Sequence, residues 1–143
     1  MKAPDHTKRA ATTDNPDRPV LQPGIDHPLE LRQIDQPVRI SIGQERLAAR
    51  AEALELREHV YPPVLYIRRI DIAPRFLQRS LQTSWCPYKG KASYFHIRLK
   101  DGTVLENAAW SYEGPFAHVA AIKDRLAFYP DKVSVELLQA ACA

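Results

Sequence analysis

Apolar and polar residues alternate with a period of two in several short stretches of the chain, the pattern of strands with one buried face. Val38-Arg39-Ile40-Ser41-Ile42 is the first and ends at Gly43. Pro62-Pro63 breaks the chain, and the β-branched and aromatic run Val64-Leu65-Tyr66-Ile67 follows as a second strand. The clearest runs from Ala92 to Lys100, with Phe95, Ile97 and Leu99 on one side and His96, Arg98 and Lys100 on the other. Asp101-Gly102 predicts a tight hairpin, with Thr103 to Tyr112 as the returning strand. Arg125 to Tyr129, closed by Pro130-Asp131, and the alternating Val133, Val135 and Leu137 predict two more. Helical content is slight: a short helix over Ala73 to Leu77, capped by Asp71 with proline in its first turn, and a helical turn from Phe116 to Ile122. Ser84 to Gly90 reads as a loop. Gln44 to His59 is ambiguous. Its Ala, Leu, Glu and Arg favour helix, while Leu54 and Leu56 alternate with Glu55 and Arg57 as a strand would. The sum is mainly β, with no internal repeat and none of the βαβ alternation of a doubly wound sheet.

Composition changes this picture at the N terminus. The chain has 143 residues, 45% hydrophobic and 26% charged, ordinary values for one globular domain. Six of its twelve prolines lie in the first 37 residues, a stretch with no Phe, Trp or Tyr. Proline fixes φ and removes a backbone donor, and so little apolar surface cannot offset the entropy of ordering. Residues 1–36 are therefore expected to be a Pro-rich extended or disordered arm, and residues 37–143 a single β domain. The arm carries a net charge of −1 and the domain +4. Between Val38 and Leu81 every cation is arginine, but Glu45, Glu52, Glu55 and Glu58 sit among them. A solvated mixed surface is thus favoured over a nucleic-acid patch. No apolar run approaches the roughly 18 residues that span a bilayer, and the start of the chain lacks the basic and apolar regions of a secretory signal. A cytoplasmic protein, with Cys86 and Cys142 both reduced, is expected. A homo-oligomer is left open.

Familiar chemical motifs are missing. The five glycines never cluster into a phosphate loop, and neither His-Glu-x-x-His nor Gly-x-Ser-x-Gly occurs. Zinc wants paired ligand spacings, and two cysteines and five scattered histidines form none, so neither a metal nor another cofactor is expected. Three segments remain. Ser84-Trp85-Cys86-Pro87-Tyr88-Lys89-Gly90-Lys91 places a thiol, a phenol and two ammoniums in eight residues. Lys89 could contact a phosphate or carboxylate, with Gly90 letting a ligand approach the backbone. Cys86 could be a nucleophile activated by the nearby cations, with His96 as its base; the competing reading is a buried, inert thiol. In Asn107-Ala108-Ala109-Trp110-Ser111-Tyr112, small residues could leave room for a ligand against Trp110 and Tyr112, or the aromatics could simply be packing. In Arg68-Arg69-Ile70-Asp71, an Arg69–Asp71 pair could orient a site.

These segments, in this order, resemble one family. Pro62 to Ile72, then Thr83-Ser84-Trp85-Cys86-Pro87-Tyr88-Lys89-Gly90-Lys91-Ala92-Ser93-Tyr94-Phe95, then Ala109-Trp110-Ser111-Tyr112 with Pro115 and Ala127-Phe128-Tyr129-Pro130, look like the blocks of the domain of unknown function 427 family. That family is also labelled a nucleotidyltransferase domain. The likeness covers about residues 38–135. It implies a small antiparallel β-tent-like domain with one or two short helices, and strands across residues 44–58 with Leu54 and Leu56 inward. We take strands over helix there, because sheet context overrides propensity. Some β-tent families hold zinc through Cys-x-x-Cys pairs; this chain has neither pair, and the metal is not carried over. Arg68 stands where the family more often has proline. The nucleotidyltransferase label finds little support, since phosphoryl transfer wants clustered carboxylates and Asp71, Asp101, Asp124 and Asp131 are isolated.

Three functions follow as alternatives. The favoured one is a domain that binds a small polar or anionic ligand between the Cys86–Gly90 segment and the Trp110–Tyr112 strand, with Tyr66, Arg69, Asp71, Tyr88, Lys89, Gly90, His96, Trp110 and Tyr112 at the site. The second is a noncatalytic interaction module that uses the N-terminal arm. The third is a nucleotidyltransferase-like enzyme or one with a Cys86 nucleophile, for which Cys86, Lys89 and His96 are the catalytic candidates.

Overall fold

The computed structural model describes residues 18–139; Cys142 and the first 17 residues of the expected arm lie outside them. Within residues 18–139 ten strands form in chain order: β1 Leu29–Gln33, β2 Val38–Ile42, β3 Glu45–Ala51, β4 Ala53–Glu58, β5 Val64–Ile67, β6 Leu77–Cys86, β7 Gly90–Arg98, β8 Val104–Tyr112, β9 Ala127–Phe128 and β10 Ser134–Leu137. They make three antiparallel sheets, ordered β1-β4-β5, β10-β2-β3 and β6-β7-β8-β9. The fold is mainly β and has no barrel. Among the described residues, helix is confined to three 3-10 segments, Arg69–Asp71, Pro74–Phe76 and Ala117–Ile122. None of these is long and apolar enough to cross a membrane.

The first and third sheets join. Ile67 and Leu126 exchange both backbone hydrogen bonds, at 2.7 and 2.8 Å, which places β5 beside the strand that leads into β9. The result is one continuous layer with apolar side chains on both faces. Successive strand residues point to opposite faces, and here neighbours divide between two cores. Ala53, Ile67, Phe95, Ala109 and Phe128 enter one. Leu54, Tyr66, Tyr94, Trp110 and Ala127 enter the other. The first core is closed by Val38 and Ile40 of β2, Leu47, Ala48 and Ala51 of β3, Ile72 just after the first 3-10 segment, and Phe76 in the second. The second is closed by Leu29 and Leu31 of β1, by Cys86, and by Val119 and Ile122. Two buried faces explain why Ala108-Ala109-Trp110 and Ala127-Phe128 read as apolar runs without alternation.

Most expected elements are present. Residues 44–58 form β3 and β4, with Leu54 and Leu56 buried. The β7–β8 hairpin closes through Leu99 and Thr103, with Gly102 at φ +92. Four readings need correction. The expected arm is ordered in its second half: β1 pairs with β4 from Leu29↔Glu58 to Gln33↔Leu54, beginning eight residues before the expected start of the domain. Pro28 and Pro37 flank this edge strand instead of interrupting it. Ala73 to Leu77 is a single 3-10 turn, and Asp71 does not cap it. Asp71 instead accepts two hydrogen bonds from Arg68, at 3.1 and 3.2 Å. Finally, Ser84 to Cys86 is not loop but the end of the ten-residue β6.

Leu56 is 2% exposed and lies in the second core. Leu56→Ala should cost about 2–5 kcal/mol, read as a lowered urea midpoint at unchanged m-value. A loss under 1 kcal/mol would show that this core is not close-packed.

Candidate functional site

The turn Pro87-Tyr88-Lys89 joins β6 to β7 and carries the most chemistry-rich residues of the chain. Its geometry follows from two contacts. The Lys89 N–H donates to the Cys86 carbonyl at 3.2 Å, and the Lys89 carbonyl accepts from the Phe116 N–H at 3.1 Å. Gly90 then turns with φ +111, a conformation that disfavours any other residue. A side chain there would meet the Gly114 carbonyl at 3.5 Å and Pro115 at 3.7 Å. The bare face of Gly90 is therefore covered by the chain's own 114–116 segment, not open to a ligand.

Lys89 is 3% exposed. Its ammonium donates to Glu58 Oε1, at the end of β4. The other carboxylate oxygen, Oε2, is 2.7 Å from Nε2 of His27. An ionised carboxylate only accepts, so Nε2 is the donor. Around this His27–Glu58–Lys89 chain lie the second-core residues Tyr66, Cys86, Trp110 and Tyr112. Trp110 Nε1 donates to the Tyr66 hydroxyl at 3.3 Å, and the ammonium sits 5.9 Å from the Tyr112 ring centroid. Tyr88 stacks on the His27 ring, centroids 3.8 Å apart.

Electrostatics fix the protonation states. Burial opposes the Lys89 charge; Cys86, Tyr66 and Glu58 beside it act the other way and raise its pKa, Glu58 being the one of the three already ionised at neutral pH. Burial also acts to raise Glu58, yet Lys89 and His27 together bring its carboxyl below the ordinary value. Burial pushes the Tyr66 phenol up to about 12 and carries Tyr112 well above its usual range. The Cys86 thiol is raised for the same reason. At neutral pH the group is thus one ammonium, one carboxylate and three protonated neutral acids.

Other expected site residues lie elsewhere. Cys86 pairs with Gly90, but His96 pairs with Gln78 at the far end of the hairpin. Six residues along a strand is roughly 20 Å, so His96 is no base for Cys86. His96 Nδ1 instead accepts the Asn107 N–H at 3.0 Å. Asn107 has φ +49 at the register shift between β7 and β8, so the histidine satisfies a donor that the bulge frees. Arg69 does not pair with Asp71. It reaches Ser111 Oγ at 2.9 Å and Glu113 at 3.1 Å, on the layer face opposite Trp110 and Tyr112. Two bonds from Arg79 are the main reason the Glu113 carboxyl falls to about 2, with Arg69 and Ser93 adding to it. An open depression of about 500 Å³ between the β2–β3 turn and residues 130–135 contains none of the expected residues. Among the described residues, no group of three or more His, Cys, Asp and Glu could hold a metal ion.

Of the expected residues, Tyr66, Cys86, Tyr88, Lys89, Trp110 and Tyr112 thus lie together around this group, which Glu58 and His27, not singled out in the sequence, complete. The family model for a domain of unknown function, DUF427, matches residues 30–139. That span includes Glu58, His59 and the whole motif turn; His27 and the segment before it fall outside. No curated protein matches the chain.

Two outcomes follow. Glu58 is held low, so the stability it confers is complete above the ordinary glutamate pKa of about 4.3 and is lost as pH falls through the lower folded value. Glu58→Gln leaves Lys89 buried without its counter-ion and should cost about 3–5 kcal/mol at pH 7; the gap from wild type should narrow below about pH 4 in urea titrations. Native Cys86 should alkylate far more slowly at pH 7.5 than in the unfolded chain, as read by peptide mass. Equal rates would mean that the thiol is neither buried nor raised.

Proposed function

The chain belongs to the domain of unknown function 427 family, and from that premise we propose that it binds a small polar or anionic ligand beside the Cys86–Gly90 turn. Lys89 and Glu58 are the charged contacts, Tyr88 is the rim, and Tyr66, Trp110 and Tyr112 form the wall behind. The observation that carries this reading is the buried Lys89–Glu58 pair. Taking two charges out of water costs several kcal/mol per ion, and apolar residues of similar size commonly serve stability as well or better. A desolvated pair with a specific third partner, His27, is the kind of arrangement that marks a site.

Access runs through the chain before β1. Residues 18–28 lie across the motif as a strap: Trp85 Nε1 donates to the Pro19 carbonyl at 2.8 Å, the Leu21 N–H donates to the Pro87 carbonyl at 2.9 Å, and the Arg18 guanidinium lies 3.9 Å from the Trp85 ring centroid. A ligand that reaches Lys89 moves this strap. The interaction-module alternative has its own support in Ile25, Val60 and Tyr61, which are 97%, 79% and 38% exposed, the last two in the turn that carries His59.

Titrating the isotopically labelled chain with inorganic phosphate, acetate, citrate and nucleosides tests the ligand reading. At least one probe should shift the Tyr88 and Lys89 amide resonances, and Lys89→Met should weaken that binding tenfold or more. Silence from every probe, or binding indifferent to Lys89→Met, would overturn it.

A further inference from the structure

The His27 imidazole is held as a bound ligand would be. Its two flat faces are both occupied. Tyr88 lies 3.8 Å away at an interplanar angle of 1°, and His59 lies 5.1 Å away at 25°. Tyr61 meets the ring edge-on at 6.5 Å. The nitrogen edge points at Glu58 Oε2, 2.7 Å away. Lys89 holds the other oxygen of that carboxylate. The surroundings therefore read two properties: a flat π-face between two rings, and an N–H donor directed at a carboxylate that stays ionised.

The ring's connection to the rest of the molecule differs from that of the walls. Glu58 ends β4 and His59 follows it directly, and Tyr88 sits in the β6–β7 turn. All three lie inside the family-matched span of residues 30–139, whereas His27 lies outside it. His27 is delivered by the strap, on a turn closed by reciprocal Gly24–His27 backbone bonds of 3.1 and 3.2 Å. Between Pro19 and Pro28, three backbone groups bond to the domain: the Pro19 carbonyl to Trp85 Nε1, the Leu21 N–H to Pro87, and the Pro28 carbonyl to the His59 N–H. Val20, Leu21 and Ile25 face solvent at 54%, 46% and 97% exposure. Segments with few buried apolar contacts open locally at little cost.

We infer that this slot is the seat of a planar nitrogen heterocycle with an N–H donor on its edge, the class that includes the purine and pyrimidine bases. His27 is an intramolecular occupant that such a ligand displaces. The inference rests on the ligand-binding reading above and names the ligand class. Glu58 selects rings that donate and rejects rings that only accept. Tyr88 and His59 select flatness. Because the occupant is tethered, the apparent affinity of an outside ring equals its intrinsic affinity scaled by the open fraction. Removing His27 removes that penalty.

The test compares full-length wild type with His27→Ala by calorimetry, using imidazole, guanosine and cytidine as probes. 1-Methylimidazole is the control, compared with imidazole at about pH 9, where both rings are neutral and only imidazole carries an N–H. His27→Ala should bind imidazole and guanosine at least tenfold tighter than wild type does, and 1-methylimidazole should gain nothing comparable. Tyr88→Leu should weaken guanosine binding in either background. In the wild-type chain, saturating guanosine should move the His27 ring proton resonances from their stacked positions to those of a free histidine, a readout that stands even if His27→Ala does not fold. The inference is overturned if folded His27→Ala gains no affinity for these probes, if 1-methylimidazole binds as well as imidazole, or if guanosine binds with the His27 resonances unmoved. Phosphate or carboxylate binding at Lys89 with no heterocycle bound would overturn this inference alone. Failure of every probe would overturn both.

Discussion

Two backbone hydrogen bonds between Ile67 and Leu126 turn separate sheets into one layer. Without them, β4 and β5 would present one buried face and one open edge, and β8 and β9 would do the same. With them, a single layer separates two apolar clusters, and each side chain's direction is forced by its place in the alternation. A one-residue slip anywhere in β4, β5, β8 or β9 would exchange the contents of both cores at once. The same constraint dictates where polar side chains go. Ser111, between Trp110 and Tyr112, turns to the opposite face and meets Arg69 there. Glu58, at the end of β4, lies where the layer meets the β6–β7 turn.

The Lys89–Glu58 pair follows from this geometry. The turn after β6 brings Lys89 down beside the second core, where its buried ammonium donates to Glu58. A carboxylate at the end of β4 is the counter-charge that the antiparallel β1–β4 edge delivers, together with His27 from just before β1. The polar group is thus assembled from three segments distant in sequence, and its burial keeps the neighbouring phenols and thiol protonated.

That remoteness explains what could be read in advance. Strands with one solvated face, such as β2 and the β7–β8 hairpin, were legible from alternation, and the motif blocks named Tyr66, Tyr88, Lys89, Trp110 and Tyr112. Leu54 and Leu56 gave the strand pattern even where propensity favoured helix. Glu58 and His27 carried no local signal, because each owes its role to a partner 31 residues away. β6 was hidden because Gln78, Arg79, Leu81 and Gln82 are all exposed, and a register shift between Arg79 and Thr83 disturbs its pairing. The first strand was concealed by proline density, a statistic that ignores where the prolines fall. His96 is ten residues from Cys86 in sequence, but the two lie at opposite ends of the β6–β7 hairpin. Arg69 and Asp71 stand two residues apart in sequence, yet on the 3-10 turn they face different partners, Glu113 and Arg68.

The two tryptophans occupy opposite mechanical positions. Trp110 is 1% exposed and packs against Tyr66 and Tyr129 inside the layer. Trp85 is 9% exposed, donates its indole N–H to the Pro19 carbonyl and lies under the Arg18 guanidinium. The chain therefore carries its own pair of optical probes. Emission from Trp85 changes when the strap lifts, while emission from Trp110 changes only when the layer itself comes apart. Fluorescence of single-tryptophan variants can thus separate breathing of the N-terminal segment from loss of the fold, with no label attached.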